Sequence, residues 1–367
     1  MSYDPRTVET QASFPRTATG LLAIIATLLI VFMLRESVWV TGTLALAFFA
    51  ALAVWPIDHW IQELVPAPLR WLGHAAALSI MLLVFFAFSA GLLYVVQQVA
   101  EGLTRYQEPL LALIQRVGRW VQFTGVEEGG AESSARLAER LIEPVIAVAT
   151  TVMQSVWSLG GILTLLYFLV WLMLLEAPSF TAKLTAVASR HDDATLRQII
   201  EATATRFRRY LVVRTVMGLA TAALYVLWLW WWGLDFLLVW GLLAFMLNYI
   251  PTVGSIVAGA LPVGLAFLQR DPASAVIIGA GLLLIEQFIG NYVDPKLQGR
   301  QLSISPFVVL AALMFWTWVW GLLGAILAVP MTLVITIAFS RIDALRPIAL
   351  ALSNAEDMEE LKDVTAP

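Results

Sequence analysis

The stretch Asn248–Pro306 decides how this chain folds. Residues 248–262 read NYIPTVGSIVAGALP, residues 275–296 read AVIIGAGLLLIEQFIGNYVDPK, and residues 297–306 read LQGRQLSISP. Prolines and glycines interrupt hydrophobic sequence, and Glu286 lies inside an apolar run with no adjacent basic residue. Because lipid offers no hydrogen-bond partners, broken backbone at membrane depth survives only inside protein or beside a water-filled cavity. The stretch therefore predicts a polar site of the kind that transport requires.

The composition is that of a membrane protein. Of the 367 residues, 60% are hydrophobic and 13% are charged, whereas a soluble domain has roughly 25% charged residues. Several apolar runs approach or exceed the roughly 20 residues that cross a bilayer. These features predict an all-α, polytopic membrane protein with about eight membrane helices, including proline-broken or re-entrant hairpins, and amphipathic helices outside the membrane.

The pattern of apolar and amphipathic segments divides the chain into seven parts. The external amphipathic segment, 97–144, includes a Gly-rich break at Gly125–Ser134, and Pro56 is expected to end the second span. The pair at 236–268 has arms too short for comfortable spans, so it is either a re-entrant hairpin or two tilted crossings. The pair at 307–339, with Gly321 and Gly324 at its bend, is a hairpin, two crossings or one long tilted helix. The predicted parts are an N-terminal tail (1–17), three spans (18–96), an external amphipathic segment (97–144), a fourth span (145–175), a cytoplasmic helical segment (176–209), a transport core (210–340) and an acidic cytoplasmic tail (341–367) that is expected to be disordered from Asn354.

Arginines and lysines indicate the orientation. With the N-terminus in the cytoplasm, the cytoplasmic segments carry about twice as many basic residues as the other face. The positive-inside rule therefore predicts that both termini are cytoplasmic and that residues 97–144 are external.

Glu286 is the only acidic residue well inside a predicted span. Placing an ionised carboxylate in lipid costs at least about 2.5 kcal/mol, so such a residue is expected to be functional, for example as a proton carrier. The alternative is a protonated carboxyl group in a structural hydrogen bond between helices. Asn291 and Asp294 are three residues apart and could share a helix face with Gln287.

The break at Asn248–Gly254 supplies the other candidates. Asn248 and Tyr249 precede Pro251, which donates no backbone hydrogen bond, and Gly254 allows the chain to turn. Broken helices expose amides and carbonyls that bind ions or polar groups; a purely structural kink is the alternative. Arg214, just inside the fifth span, is expected to snorkel to the interface, with contact to a solute as the second interpretation.

Other kinds of site lack support in the sequence. The chain has no cysteine, no P-loop pattern, no HExxH motif and no Ser-His-Asp arrangement. We therefore expect no enzyme activity, no cofactor and no metal site, and any active transport must draw on an ion gradient, the membrane potential or another subunit.

Two segments carry a family resemblance. Residues 247–269, LNYIPTVGSIVAGALPVGLAFLQ, and residues 286–333, which include the VDPKLQG and ISP elements and a Val-Pro, follow the RFRRYL entry to the fifth span at 206–211. Together they resemble the autoinducer-2 exporter family of bacterial permeases. The resemblance implies an inner-membrane transporter of about eight helices, with members linked to autoinducer-2 export or to sodium(lithium)/proton antiport.

Three functional hypotheses follow. The first is a secondary transporter of a small polar solute, proton-coupled through Glu286; the second is a sodium(lithium)/proton antiporter that uses Glu286 and Asp294; the third is a scaffold that transports nothing. The expected partners are the lipid bilayer and a small polar solute with H⁺ or Na⁺, and nucleic acid is not expected. We also predict a homo-oligomer in the bacterial inner membrane.

Overall fold

The computed structural model describes residues 16–123, 164–180, 182–183, 195–294, 296 and 304–365. Helices make up nearly all of this part of the chain, and its one element of β pairing is an isolated bridge between Ile304 and Ser353. The predicted all-α fold is confirmed. Predictions for the N-terminal tail, for the break at Gly125–Ser134 and for most of the fourth span concern residues outside these ranges.

The N-terminal helices are α1 (Arg16–Glu36), α2 (Val38–Leu64) and α3 (Trp71–Phe123). Ser37 separates α1 from α2, and a short 3₁₀ turn, Ala67–Leu69, precedes α3. The expectation that Pro56 ends the second span is wrong, because α2 continues through it for more than two turns. Helix α4 (Thr164–Phe180) packs against α2 and α3 through a buried apolar cluster: Ala47, Val54, Ala77, Leu78, Leu166, Val170 and Leu174.

Helix α3 is continuous across residues 96 and 97, where the sequence changes from apolar to amphipathic. Its first part, Trp71–Val99, is apolar enough to span a membrane, and the charged part extends the same helix for nearly seven turns. No proline or glycine interrupts the junction itself, so the backbone hydrogen bonds continue. The amphipathic segment up to Phe123 is therefore a continuous extension of a membrane helix.

Helix α5 (Thr195–Trp231) precedes a helical hairpin of α6 (Leu237–Leu247) and α7 (Val253–Gln269). The two ends of the hairpin meet, since the backbone N–H of Asp235 donates to the Gln269 side chain at 3.1 Å. With 11 residues, α6 is about 16 Å long and cannot cross a hydrocarbon core of about 30 Å. Of the two alternatives for 236–268, the geometry favours the re-entrant hairpin.

Helix α8 (Pro272–Phe288) begins at a capped N-terminus and ends in a π-helical turn, Ile289–Val293. The Asp271 carboxylate accepts a hydrogen bond from the Ser274 amide at 3.0 Å. Such a cap satisfies a backbone donor that the first helical turn leaves without an intrahelical partner. Helix α8 packs against α5 and α7 and forms the second wall of the site described below.

Helix α9 (Pro306–Ser340) reverses direction at Gly321, which has φ 61° and ψ −137°. A Cβ atom on Gly324 would lie 1.8 Å from the carbonyl oxygen of Trp316, although eight residues of straight helix would separate them by about 12 Å. The second pair of arms is therefore also a hairpin, and its tip contacts the α1–α2 turn through the Trp320 indole, which donates to the Leu34 carbonyl at 3.2 Å.

The C-terminal residues are folded. After a 3₁₀ turn at Asp343–Leu345, α10 (Arg346–Leu352) and α11 (Met358–Thr365) pack against the end of α9. Leu361 is almost completely buried there. The expectation of a disordered acidic tail is thus wrong for these residues, because α11 presents an apolar side chain that α9 and α10 cover.

Four of the described helices are long and apolar enough to cross a membrane: Val38–Leu64, Trp71–Val99, Ile199–Trp231 and Pro272–Val293. A fifth apolar segment, Pro306–Ser340, is the α9 hairpin, which is long enough only as the sum of its two arms. Their outward surfaces carry many large apolar side chains, among them Leu83, Phe86, Leu284 and Met314. Such surfaces are stable against lipid but not against water. The protein is a polytopic membrane protein, as the composition predicts.

Candidate functional site at the hairpin tip and the α5–α8 interface

The tip of the α6–α7 hairpin is attached halfway along α5. The Asn248 amide donates to the Arg214 carbonyl at 2.8 Å, and the hydroxyl groups of Tyr249 and Thr215 are 2.8 Å apart. Pro251 is buried at the turn, and Thr252 has a left-handed φ of 62°. Both predicted polar residues of the break therefore hold its position on α5.

Two glycines permit these close approaches. A Cβ on Gly254 would lie 1.8 Å from the Leu247 carbonyl oxygen, so only glycine lets α7 start beside the end of α6. On α5, a Cβ on Gly218 would lie 3.2 Å from the Asn248 amide nitrogen. Gly254 thus has a structural role in shaping the tip.

Arg214 and Asp294 face each other beside the tip. Their closest side-chain atoms, Nη1 and Oδ2, are 3.9 Å apart, and the side chains are only 16% and 20% exposed. The guanidinium carbon also lies 5.6 Å from the ring centre of Tyr210. Arg214 does not extend along the surface as a snorkelling residue would, because Asp294 supplies an opposite charge within the protein.

Glu286 pairs with Tyr225. The Tyr225 hydroxyl donates to Glu286 Oε1 at 2.8 Å, and Tyr225 itself is 0% exposed. Gly259 of α7 covers the pair, since a Cβ there would lie 3.4 Å from the hydroxyl oxygen. A bond from the Trp228 indole to the Ile278 carbonyl at 3.1 Å joins the same two helices.

Gln287 and Asn291 lie on a different face of α8. Both are exposed, and the Asn291 amide donates to the Gln287 side-chain oxygen. Asp294 does not join them, although α-helical spacing would place it there. The π turn at Ile289–Val293 adds a residue to the helical turn and rotates Asp294 toward α5.

A second polar cluster lies at the base of the hairpin. The Tyr106 hydroxyl donates to Asp235 and accepts from the Gln269 amide, while Arg105 Nη1 lies 3.5 Å from Asp235. Burial and the hydrogen bond to Asp235 raise the pKa of Tyr106 above its usual value of 10.0. Next to this cluster, the Phe236 ring packs against Gly102, where an added Cβ would lie 2.7 Å from the ring. The extension of α3 therefore contacts both ends of the hairpin.

Sequence reasoning did not find Tyr225, Thr215 or the Tyr106–Asp235–Gln269 cluster. A tyrosine in an apolar span is ordinary by itself, and no spacing rule connects Tyr225 to a residue 61 positions away. One signal was available in the sequence. The apolar spans contain few hydrogen-bond acceptors, and a buried tyrosine hydroxyl needs one, so Glu286 was a candidate partner for Tyr225.

The sequence of this chain resembles those of known proteins. The sequence matches the family described as AI-2E family transporter over residues 21–344. The chain belongs to the AI-2E transporter family. The resemblance inferred from the residues around Pro251 and Pro330 is thereby confirmed, and the hairpin tip, the α5–α8 interface and the hairpin base of this AI-2E protein all lie within the matched range.

Relatives of this AI-2E protein share its length as well as its sequence. The AI-2 transport protein TqsA of Escherichia coli K12 is 29% identical over 318 residues, which cover 84% of this chain and 88% of that protein. A Haemophilus influenzae protein, named as a candidate transport protein, is 27% identical over 358 residues, or 94% and 98% of the two chains. A Mycobacterium tuberculosis protein with a similar name is 29% identical over 337 residues.

Proposed function

We propose that this AI-2E protein is a secondary transporter that moves a small polar solute across the bacterial inner membrane and couples this movement to protons. The observation that carries the proposal is the meeting of a broken hairpin, Asn248–Thr252, with the Arg214–Asp294 pair halfway along α5. Short helices that end inside a membrane protein expose backbone dipoles and polar side chains, which can replace the hydration of a solute.

The solute site consists of the hairpin tip and its surroundings. Asn248, Tyr249, Thr215, Arg214 and Asp294 provide amide, hydroxyl and charged groups within a small region. Such a set can bind hydroxyl and carbonyl oxygens, which is the chemistry of a small, oxygen-rich molecule. The name of the Escherichia coli relative makes AI-2 the first solute to test.

Glu286 is the proposed proton carrier. Its carboxyl group accepts a hydrogen bond from Tyr225 on α5, and within the part of the chain that the structure describes this neutral hydroxyl is its hydrogen-bond partner. A carboxyl group in such a place gains and loses a proton according to its access to water. Alternation of this access between the two sides would couple proton movement to solute movement.

The arrangement in the cell is part of the proposal. The distribution of basic residues supports an orientation with both termini in the cytoplasm and the extension of α3 outside. Residues 210–340, which carry the hairpins and Glu286, are the proposed transport core. The many exposed apolar and aromatic side chains are compatible with a homo-oligomer in the lipid bilayer. Cysteine labelling of single-cysteine variants from each side of the membrane tests the orientation, because the chain has no cysteine of its own.

The transport experiment uses purified protein in proteoliposomes, with AI-2 as the first solute, with and without a pH gradient. Wild type is expected to move solute faster under the gradient, and Glu286→Gln is expected to lose that stimulation. Glu63→Gln is the matched control, because Glu63 is an exposed carboxylate paired with His59 on α2. Unchanged pH dependence in Glu286→Gln excludes Glu286 as the carrier.

Two further results would redirect the proposal. Proton movement driven by sodium or lithium, without solute, favours the antiporter. Absence of any solute or proton movement in wild-type vesicles favours the scaffold, for which loss of residues 97–123 should matter more than changes at Glu286.

A further inference from the structure

One face of α5 is polar along several turns. Tyr210, Arg214, Thr221 and Tyr225 follow one another at intervals of four and seven residues, which places them in a single stripe. The stripe faces α8, because Arg214 lies against Asp294 and Tyr225 bonds to Glu286. The two pairs define the ends of a polar α5–α8 interface within an otherwise apolar structure.

Three polar atoms of this stripe have no hydrogen-bond partner among the described residues. They are the hydroxyl of Tyr210, which lies close to the Arg214 guanidinium without an aligned hydrogen bond to it, the Nε of Arg214 and the hydroxyl of Thr221. Tyr210 and Thr221 are each only 3% exposed. Leaving a buried donor unpaired is costly, so native proteins satisfy such groups with bound water or a ligand.

Buried helical threonines in this protein usually bond to their own helix. Thr332 and Thr336 donate to the carbonyl four residues earlier at 2.7 and 2.9 Å, and Thr215 on α5 does the same at 2.7 Å. Thr203, nearer the start of α5, lacks such a bond, as Thr221 does. Thr221 differs from Thr203 in its position between the Arg214–Asp294 and Tyr225–Glu286 pairs, so its hydroxyl is available to a group at the interface.

The opposite wall is irregular at the same level. Between Glu286 and Asp294, the π turn Ile289–Val293 replaces α-helical hydrogen bonding, and the Asp294 amide donates to the Ile289 carbonyl. A π turn widens the helix locally and disturbs close packing, and such turns are frequent at functional sites. An irregular wall that faces unpaired donors favours bound water over dry side-chain contact.

We propose that the α5–α8 interface holds a file of water molecules, lined by Tyr210, Arg214 and Thr221, through which protons reach Glu286 from the end marked by Asp294. This inference rests on the proposed proton coupling. Each step passes one proton from a hydronium ion to the next water and leaves neutral water behind. The net result is one proton added to the Glu286 carboxylate. The charge of Arg214 is offset by Asp294, which keeps that end of the file open to a hydronium ion.

The ionisable groups around the file come from three elements of the described structure. Helix α5 contributes Tyr210, Arg214 and Tyr225, α8 contributes Glu286 and Asp294, and the hairpin tip contributes Tyr249. Helix α7 adds only Gly259 against the Tyr225 hydroxyl.

Radiolytic hydroxyl-radical footprinting of the full chain in nanodiscs tests the water directly, without any transport assay. Buried side chains beside bound water are labelled quickly, whereas dry ones are not. Each rate is divided by the rate of the same residue in the unfolded chain. Because the Tyr210 ring packs in the same apolar cluster as Phe49, the dry control comes from the separate cluster of α2, α3 and α4. Tyr210 is expected to be labelled at least about tenfold faster than Leu174, which is 1% exposed in that cluster. Equal normalised rates overturn the proposal.

Thr221→Val tests the role of the file in coupling. The change keeps the shape of the side chain and removes the hydroxyl, so the folded state should be at least as stable as wild type. Proton movement per solute is expected to fall several-fold, while Thr332→Val, which removes a hydroxyl with its own backbone acceptor, should leave it at the wild-type value. Unchanged coupling in Thr221→Val overturns the proton route.

The two experiments separate the inference from the proposed function. Rapid Tyr210 labelling with no proton movement in wild type contradicts the coupling and with it the proton role of the file. Wild-type coupling with an unlabelled Tyr210 contradicts the file and leaves the proposed function standing. If saturating solute abolishes Tyr210 labelling, solute rather than water occupies the interface, which also overturns the water file.

Discussion

The hydroxyl of Tyr225 lies 2.8 Å from Glu286 Oε1 and joins α5 to α8 across an apolar core. Both residues are within helices that are long enough to cross a membrane. A hydrogen bond between buried groups is electrostatically stronger than one in bulk water, so each partner depends on the other. Tyr225 and Glu286 are therefore the first residues to mutate in this protein.

Tyr225→Phe is expected to lower the free energy of unfolding by about 1 kcal/mol or more, because Glu286 loses its hydrogen-bond donor among the described residues. Denaturant titration in micelles measures this change. In a double-mutant cycle with Glu286→Gln, the two changes should be non-additive. Simple additivity would show that the hydroxyl and the carboxyl group do not interact in solution.

Gly254→Ala is expected to cost about 3 kcal/mol or more, because its Cβ would lie 1.8 Å from the Leu247 carbonyl and backbone must move. Gly264→Ala is the matched control on the same helix: nothing lies within 4 Å of its Cβ, so the variant should gain up to about 1 kcal/mol. Thermal unfolding of both variants measures the difference. Equal stabilities would contradict the close contact at the tip.

Gly321→Ala tests backbone conformation alone. The φ of 61° with ψ of −137° strains any residue with a Cβ, yet nothing lies within 4 Å of the added atom. We expect a loss of about 1–3 kcal/mol from this strain. Gly42→Ala, whose Cβ would meet the same hairpin at ordinary contact distances of 3.7 Å, should be nearly neutral. A neutral Gly321→Ala would mean that α9 does not turn back there.

Tyr106→Phe removes both hydrogen bonds that join α3 to the hairpin base, and we expect a loss of about 1 kcal/mol. Tyr94→Phe, an exposed tyrosine on the same helix, is the control. Because the folded pKa of Tyr106 is raised above 10.0, its contribution is fully present below that pH and declines as the pH rises through the folded value. The stability difference between wild type and Tyr106→Phe should thus be constant from pH 6 to 9 and shrink only above about pH 10. A difference that changes near neutrality would indicate another titrating group.

Local sequence rules predicted the breaks well. Pro251 with Gly254, and Gly321 with Gly324, mark the two places where apolar helices reverse, because the chain there lacks a donor or requires the freedom of glycine. They failed at Pro56, since a single proline within a well-packed helix is tolerated. The same local rules failed for the C-terminal residues, where α11 packs against α9 and α10, buries Leu361 and has its first turn capped by Asp357.

Amino-acid sequence alone determined that this protein is an all-α membrane protein with interrupted helices and an unusual carboxylate at position 286. Those properties follow from hydropathy and from the conformations open to each residue, which act over a few neighbouring positions. Tertiary structure alone decided that Glu286 meets Tyr225 and that Asp294 turns toward Arg214. The Tyr225–Glu286 pair depends on how α5 packs against α8. The Arg214–Asp294 pair depends also on the π turn Ile289–Val293, which rotates Asp294 about the helix axis. Both pairs join residues that are distant along the chain, which local sequence rules do not connect.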